Sequence, residues 1–251
     1  MDIIDGTGTE NLNYVIEKDS GVFRSSREYT GFGKATYRFE EGKEEQFVGH
    51  YSNGVREGIG IYRYWNGDVY KGSYHFNKKN GIGSAEYRAS PRDDGEDNNP
   101  IDASACTRYF GYFREGKRDK CGAILYANGD IYAGEWSNGL KCGHGRYKFA
   151  SDKSELVGFW SQGRIKHGKW VLPSGVYYVG SFERNKPSGK GAWLFPNGNQ
   201  VTGKFIQTVA KSRPEQVETE EDNGDDTLPA EELYKVSELN FICEACQTLR
   251  E

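Results

Sequence analysis

Long apolar runs are absent from this sequence of 251 residues. A membrane-spanning helix needs about 18 or more consecutive apolar residues, so we expect no segment to cross a membrane. The first residues, Met-Asp-Ile-Ile-Asp, lack the basic and apolar regions of a secretory signal peptide. These absences predict a cytoplasmic location.

Cysteine is scarce as well, and the five cysteines form an odd, scattered set that predicts reduced thiols. Cys243 and Cys246 form a single Cys-x-x-Cys with no second pair and no histidine partner, so zinc is not expected there. A thioredoxin-like role would need a βαβ setting that the sequence does not show. The remaining three are Cys106, Cys121 and Cys142.

Motifs for catalysis are also missing. The four histidines have no serine or cysteine motif around them: His50, His75, His144 and His167. The recurrent Gly-x-Gly pairs lack the strand-to-helix context and the Gly-Lys-Ser/Thr ending of a phosphate-binding loop. We therefore predict a protein that is not an enzyme and that has no cofactor and no metal.

Glycine and tyrosine, in contrast, are abundant. There are 33 glycines and 17 tyrosines against 35% hydrophobic residues, which predicts a thin, aromatic-lined layer instead of a thick core. The net charge of −4 combines two parts, because 12 acidic and 2 basic residues lie from Pro214 to the end, and the rest carries +6. This asymmetry indicates self-shielding, two different partners or an ordinary solvated tail.

An aromatic–glycine–aromatic unit recurs along the chain. Its central glycines are Gly49, Gly72, Gly111, Gly134, Gly158, Gly180 and Gly203. Their spacings are 23, 39, 23, 24, 22 and 23 residues, so one repeat carries an insertion of 16. The flanking aromatic residues include Tyr51, Tyr70, Tyr74, Tyr109, Tyr132, Trp136, Trp160 and Tyr178. A fixed period of this size predicts a repeat array in which these residues are structural anchors.

The clearest unit runs from Leu125 to Gly145. An apolar run ends at Tyr126, the turn signal Asn128-Gly129-Asp130 follows, and alternation then resumes. Asn-Gly between alternating runs predicts a hairpin whose two central turn residues both have positive φ. The regular aromatic spacing favours a ladder of cross-strand pairs over base-stacking platforms, so we expect no nucleic-acid partner.

The pattern Tyr-x-Gly-x-Trp, then Asn-Gly, then Gly-x-Gly, at a spacing near 23, resembles the MORN repeat. The resemblance implies an all-β fold: an elongated, single-layer, twisted antiparallel sheet of consecutive β-hairpins. Members of this family are mostly scaffolds and adaptors, which implies binding of other proteins. Residues 31–206 would form seven repeats, with 1–30 as an N-terminal extension that docks on the sheet edge.

An acidic insertion lies near 89–104, where the other repeats have a short turn. Its acids are Asp93, Asp94, Glu96 and Asp97, which raises the alternative of a calcium loop. The Asp-x-[Asp/Asn]-x-[Asp/Asn]-Gly pattern with a later glutamate is absent. We therefore predict a hydrophilic surface loop, a natural contact point on a rigid sheet.

The region after the array divides into two parts. Residues 207–228 are acidic and predict a flexible linker, whereas 229–251 show apolar residues at spacings of three and four. This spacing predicts a short C-terminal α-helix that either folds back on the sheet or docks on another chain. Its apolar stripe is Leu233, Val236, Leu239, Ile242, Cys246 and Leu249.

A chain made mostly of these repeats, with an acidic extension, is similar to the MORN proteins of the ciliary radial spoke head. The stretch from Tyr177 to Gly191 carries that likeness, with Asn-Lys-Pro in its connector. It implies a structural subunit of the axoneme in a cilium or flagellum, bound to other spoke-head or axonemal proteins and supporting motility. Whether the chain forms a homo- or hetero-oligomer is left open.

The runner-up interpretation is an adaptor apposed to a membrane, because some MORN proteins bind anionic lipid and the body of this chain is positive. A dense Lys/Arg cluster and a lipidation motif are both absent, so membrane contact is not the first expectation. A third interpretation is an adaptor that holds a partner helix against the sheet.

Overall fold

A computed structural model describes residues 13–39, 42–88, 106–211 and 234–247. In these ranges the chain forms seventeen β-strands and no α-helix. Every strand pair is antiparallel, so the prediction of an all-β antiparallel fold is confirmed. The chain divides into two compact units, Met1–Asn128 and Gly129–Glu251.

The first unit contains nine strands. They are β1 (Asn13–Lys18), β2 (Gly21–Phe23), β3 (Gly31–Arg38), β4 (Glu44–Ser52), β5 (Val55–Arg63), β6 (Val69–His75), β7 (Lys78–Arg88), β8 (Cys106–Arg114) and β9 (Lys117–Leu125). From β3 to β9 each strand pairs with the next one in sequence. Strand β1 pairs with β2 and with β3, so it covers the edge of the first hairpin.

The second unit contains eight strands, each paired with the next one in sequence. They are β10 (Ile131–Ser137), β11 (Leu140–Lys148), β12 (Glu155–Ser161), β13 (Arg164–Val171), β14 (Tyr177–Glu183), β15 (Lys186–Leu194), β16 (Gln200–Lys211) and β17 (Tyr234–Gln247). The two units are therefore built by the same rule of consecutive hairpins.

Two kinds of turn join the strands. Two-residue turns such as Asn53-Gly54 have positive φ at both residues, 50° and 88°, as tight hairpins require. The turn at Asn128-Gly129 is different, because only Gly129 has a positive φ, 84°. Our prediction of positive φ at both residues there is wrong: that Asn-Gly-Asp sequence forms a longer turn, and the tight turns lie at the opposite strand ends.

The predicted C-terminal helix is also wrong, because Tyr234–Gln247 forms strand β17 along β16. Two β-bulges interrupt this pairing, one between Thr202 and Gly203 and one between Thr208 and Val209. Each bulge adds one residue to β17, so residues three apart return to the same face of the strand. A spacing of three is also a helical signal, which explains the error.

Of the apolar residues predicted to form one stripe of that helix, those in the described part lie on both faces of strand β17. Val236, Leu239 and Cys246 lie opposite Val209, Gln207 and Val201, whereas Ile242 lies opposite Lys204 and is exposed. Leu233 and Leu249 lie outside the described residues. Strand β16 reaches Lys211, so the first five residues of the predicted linker belong to the sheet. The acidic insertion and the rest of the linker lie outside the described residues.

Glycine pairs set the register of both units. Gly49 lies opposite Gly60, and Gly72 lies opposite Gly83. A Cβ at Gly72 would lie 2.6 Å from the Cα of Gly83 and 2.6 Å from the hydroxyl oxygen of Tyr70. Real Cβ atoms do not approach other atoms so closely, so the site has no room for a side chain.

We expect Gly72→Ala to lower the free energy of unfolding by about 3 kcal/mol, because the added methyl group must displace a backbone or a ring. Urea unfolding followed by tryptophan and tyrosine fluorescence measures this loss. The matched control is Ser73→Ala, the neighbouring residue with its side chain on the other face of β6. Equal midpoints for Gly72→Ala and Ser73→Ala would contradict the close packing.

Candidate interaction surfaces

The aromatic face, defined as the sheet face that carries the repeat anchors, is filled by aromatic rings. Each anchor glycine has a ring two residues before it or after it, and these side chains are almost completely buried. Tyr70 shows how a ring is fixed: it lies over Gly83, and its hydroxyl donates to the carbonyl oxygen of Ser73 at 3.0 Å. Tyr109 and Tyr132 donate in the same way to the third residue after them.

The rings contact one another edge to face, both within a repeat and between repeats. Within one repeat, the Tyr70 and Tyr74 ring centroids are 5.3 Å apart at 87°. Between repeats, Tyr70 meets Phe113 at 5.1 Å and 84°. In the second unit, Tyr132 meets Trp160 at 5.2 Å and 75°. Such pairs stabilise by about 0.5–1.5 kcal/mol beyond their buried area, so the ladder links successive hairpins.

Cations cover this ladder from the second strand of several hairpins. The Arg56 guanidinium carbon lies 5.1 Å from the Tyr62 ring centroid and 5.5 Å from that of Tyr74. Lys79 lies 5.2 Å from the Tyr70 ring, and in the second unit Lys141 lies 5.5 Å from the Trp160 ring. Cation–π attraction of this kind stabilises the aromatic face, and the cationic side chains also cover its rings.

The surroundings of the buried tyrosines keep their hydroxyl groups from ionising. Burial raises the pKa of Tyr62 and Tyr74 far above the usual value, and the neighbouring carboxylate of Glu45 raises that of Tyr62 further. The Tyr62 hydroxyl donates to Glu45 at 2.5 Å. Both hydroxyls stay protonated at neutral pH, and that of Tyr62 is a hydrogen-bond donor inside the sheet.

Turn residues tie each repeat to the next. The Asp68 carboxylate accepts a hydrogen bond from the backbone N–H of Arg88 at 2.7 Å. Asp130 in the second unit accepts from the backbone N–H of Ala150 at 2.7 Å and from the Tyr147 hydroxyl at 2.7 Å. The aspartate after Asn-Gly in these two turns therefore bonds to the backbone at or just after the end of the second strand that follows, which ties neighbouring hairpins together.

All the repeat anchors predicted from the sequence lie on the aromatic face. They are Gly49, Tyr51, Tyr70, Gly72, Tyr74, Tyr109, Gly111, Tyr132, Gly134, Trp136, Gly158, Trp160, Tyr178, Gly180 and Gly203. The structure gives them a packing role. The opposite face of the sheet is here called the outer face.

The outer face of the first unit carries large apolar side chains that are exposed. Ile59 and Ile82 are 64% and 61% exposed, and both are the middle residue of a Gly-x-Gly. Phe32, also between two glycines, is 52% exposed, and Phe110 beside Gly111 is 64% exposed. These four side chains on β3, β5, β7 and β8 define the outer row.

Positive charges accompany the outer row. Arg63, Lys71 and Arg108 lie on the same face, and in the part of the chain that the structure describes none of them has a carboxylate within 4 Å. The acid nearest Ile59 in sequence, Glu57, already contacts the ring of His75 at 2.9 Å. Glu86 on β7 lies directly opposite Arg108, so the positive charges beside the row that have no acid directly opposite are those of Arg63 and Lys71.

The outer face of the second unit is more polar. The middle residues of the corresponding glycine pairs are His144 and Lys190, and His167 occupies the same place before Gly168. Lys190 lies directly opposite Lys204, and both are exposed. Like charges facing each other across two strands are unfavourable unless an anion lies between them.

Neither the outer row of the first unit nor the facing lysines of the second unit was predicted from the sequence. The signal was present, since the residue between two glycines of a strand must face away from the ring ladder.

Among the described residues there is no cluster of three or more metal-binding side chains. No helix in the described part is long and apolar enough to cross a membrane.

Comparison with known families agrees with this repeat geometry. The MORN repeat family matches four stretches, residues 47–69, 70–88, 132–153 and 178–200. The chain therefore contains MORN repeats. Each matched stretch spans parts of consecutive strands in the hairpin array.

Among curated proteins, the chain is similar to alsin. It is 24% identical to alsin of Homo sapiens over 259 residues, covering 86% of this chain and 13% of alsin. It is 26% identical to alsin of Pan troglodytes and of Rattus norvegicus over 214 residues, covering 74% of this chain and 11% of each relative. The chain thus spans only about an eighth of the length of these relatives.

Among solved structures, the chain is similar to the SAS-4 (dCPAP) TCP domain of Drosophila melanogaster, solved with a proline-rich motif of Ana2 (dSTIL). The TM-score is 0.39 and the identity 17%, over 70% of this chain and 87% of that one. A TM-score of this size does not establish a shared fold.

Proposed function

We propose that this protein is a non-enzymatic scaffold that binds an acidic amphipathic helix along the outer row. The observation that carries the proposal is the exposure of Phe32, Ile59, Ile82 and Phe110 on a face that the ring ladder does not need. Contiguous exposed apolar side chains with a polar border are typical of protein-binding surfaces.

The spacing of the row suits a helix that crosses the strands. Ile59 on β5 and Ile82 on β7 are two strands apart, a separation of about 9.6 Å. Residues seven apart on a helix are separated by about 10.5 Å along its axis. A helix with apolar residues at every seventh position would therefore present one apolar side chain to every other strand of the sheet.

The charge around the row indicates the polar character of the partner. Arg63 and Lys71 have no carboxylate within 4 Å among the described residues, so a partner with glutamates beside its apolar stripe would pair with them. Complementary charge mainly increases the association rate and the specificity of binding. A lysine-rich helix of the same apolar pattern would be disfavoured.

The particular assembly remains a proposal that rests on resemblance. A radial spoke head of the ciliary axoneme is the assembly implied by the stretch from Tyr177 to Gly191, and a scaffold bound to spoke-head proteins would use such a surface. The alsin relatives give that role no support, since they share the repeats and not the spoke assignment.

We expect Ile82→Glu to weaken binding of a synthetic probe helix by at least about tenfold, because burying an isoleucine contributes about 1.5–3 kcal/mol. The probe has leucine at every seventh position and glutamates beside that stripe. Fluorescence anisotropy of the labelled probe, titrated with the full chain, gives the dissociation constant.

Phe76→Glu is the matched control, since Phe76 is also exposed, 67%, but lies in the turn between β6 and β7. It should leave the affinity unchanged. A second probe with lysines in place of the glutamates should bind more weakly than the first. Equal binding by Ile82→Glu and the wild-type chain, or a preference for the lysine probe, would contradict the proposal.

A second candidate function follows from the outer face of the second unit. Lys190 and Lys204 face each other there, and β13, two strands away from β15, carries Lys166 and Lys169. Each lysine near an anionic membrane contributes about 1 kcal/mol of attraction. This surface supports the alternative of an adaptor that contacts anionic lipid.

If this alternative holds, the double variant Lys190→Glu with Lys204→Glu should lose flotation with vesicles of phosphatidylcholine and phosphatidylserine. The wild-type chain should float with them at low salt and be released at high salt, because the attraction is electrostatic. Lys153→Glu, at an exposed turn lysine, is the control and should float like the wild type. A wild-type chain that stays at the bottom of the gradient would exclude lipid binding by this face.

A further inference from the structure

The two cysteines of β17 lie unusually close together. In a regular strand, residues three apart point to opposite faces. Here Cys243 lies opposite Gly203 and Ala245 lies opposite Thr202, so Glu244 is an extra residue in a β-bulge. The bulge turns Cys246 back to the face of Cys243, and the two Sγ atoms are 3.6 Å apart.

The surroundings of the pair allow reaction. Both thiols are exposed, so a small molecule in solution can reach them. Cys243 faces Gly203, which has no side chain to shield the sulfur, and Cys246 faces Val201 at the strand end. The contact with Cys246 raises the pKa of the Cys243 thiol, which agrees with a direct S–H···S interaction and lowers the thiolate fraction of Cys243 at neutral pH.

We propose that Cys243 and Cys246 form a reversible dithiol–disulfide site that reacts with small-molecule disulfides such as oxidised glutathione. The bulge places the two sulfurs on the same face of β17, 3.6 Å apart. The site is independent of the outer row and of the lipid-binding alternative.

The reaction takes two exchange steps. The thiolate of one cysteine attacks oxidised glutathione, forms a mixed disulfide and releases one glutathione thiolate, which takes up a proton. The second cysteine, as its thiolate, attacks the protein sulfur of the mixed disulfide and releases the second glutathione. Two protein thiols are oxidised to one disulfide, and one glutathione disulfide is reduced to two thiols, so the electrons and protons balance.

The disulfide has a structural consequence, because it closes a ring around Glu244. The bulge is then fixed in β17, the last strand in the described part of the chain. The oxidised form should therefore hold β17 in its bulged pairing with β16.

The test uses the full reduced chain, treated with mixtures of oxidised and reduced glutathione and then alkylated. Intact-mass spectrometry should show loss of the mass of two hydrogen atoms, and peptide mapping should show Cys243 joined to Cys246. Cys106, Cys121 and Cys142 should remain open to alkylation after unfolding. Added dithiothreitol should restore both thiols.

Matched variants separate the geometry from general thiol reactivity. Cys243→Ser should gain a glutathione adduct at Cys246 instead of losing hydrogens. The double variant Ala245→Cys with Cys246→Ala keeps two thiols but places the second opposite Thr202 on the other face, so it should not close a disulfide. Glutathione adducts alone on the wild-type chain, or equal closure in this double variant, would overturn the proposal.

Discussion

A pair of facing glycines under an aromatic ring is the contact on which the rest of the structure depends. The ring needs the glycines because any side chain would collide with it, and the strands need the ring because glycine contributes no packing of its own. Tyr70 over Gly83 shows both sides of this dependence. Tyr70 then meets Phe113 of the next repeat edge to face, and Tyr132 meets Trp160 in the same way, so the rings also link hairpins.

Because the aromatic face supplies the packing of the sheet, the residue types of the outer face are less constrained. Packing fixes the residues of the aromatic face in every repeat, but it places no demand on the residue between two glycines. Ile59 and Ile82 in the first unit, and His144 and Lys190 in the second, occupy equivalent positions with different chemistry. A repeat array of this kind can therefore carry different binding surfaces on one backbone plan, as expected of a scaffold.

The sequence was sufficient for the hairpins because the glycine–aromatic unit is a local pattern with a fixed period. It was insufficient at Asn128, since the same Asn-Gly pair fits both a tight turn and a longer one. It was misleading at β17, where the bulges at the level of Thr202 and Thr208 imitate helical spacing. The outer row could have been derived from strand alternation, whereas the contact between Cys243 and Cys246 depends on a bulge that no local pattern predicts.

The most direct test of the central claim is the chemical shift of the Gly83 α-protons, measured by NMR on the full chain with labelled glycine. An α-proton under the face of the Tyr70 ring should move upfield of its ordinary position, and Tyr70→Leu should return it. An ordinary shift for Gly83 in the wild-type chain, or the same shift in Tyr70→Leu, would contradict a ring that lies over the glycine pair.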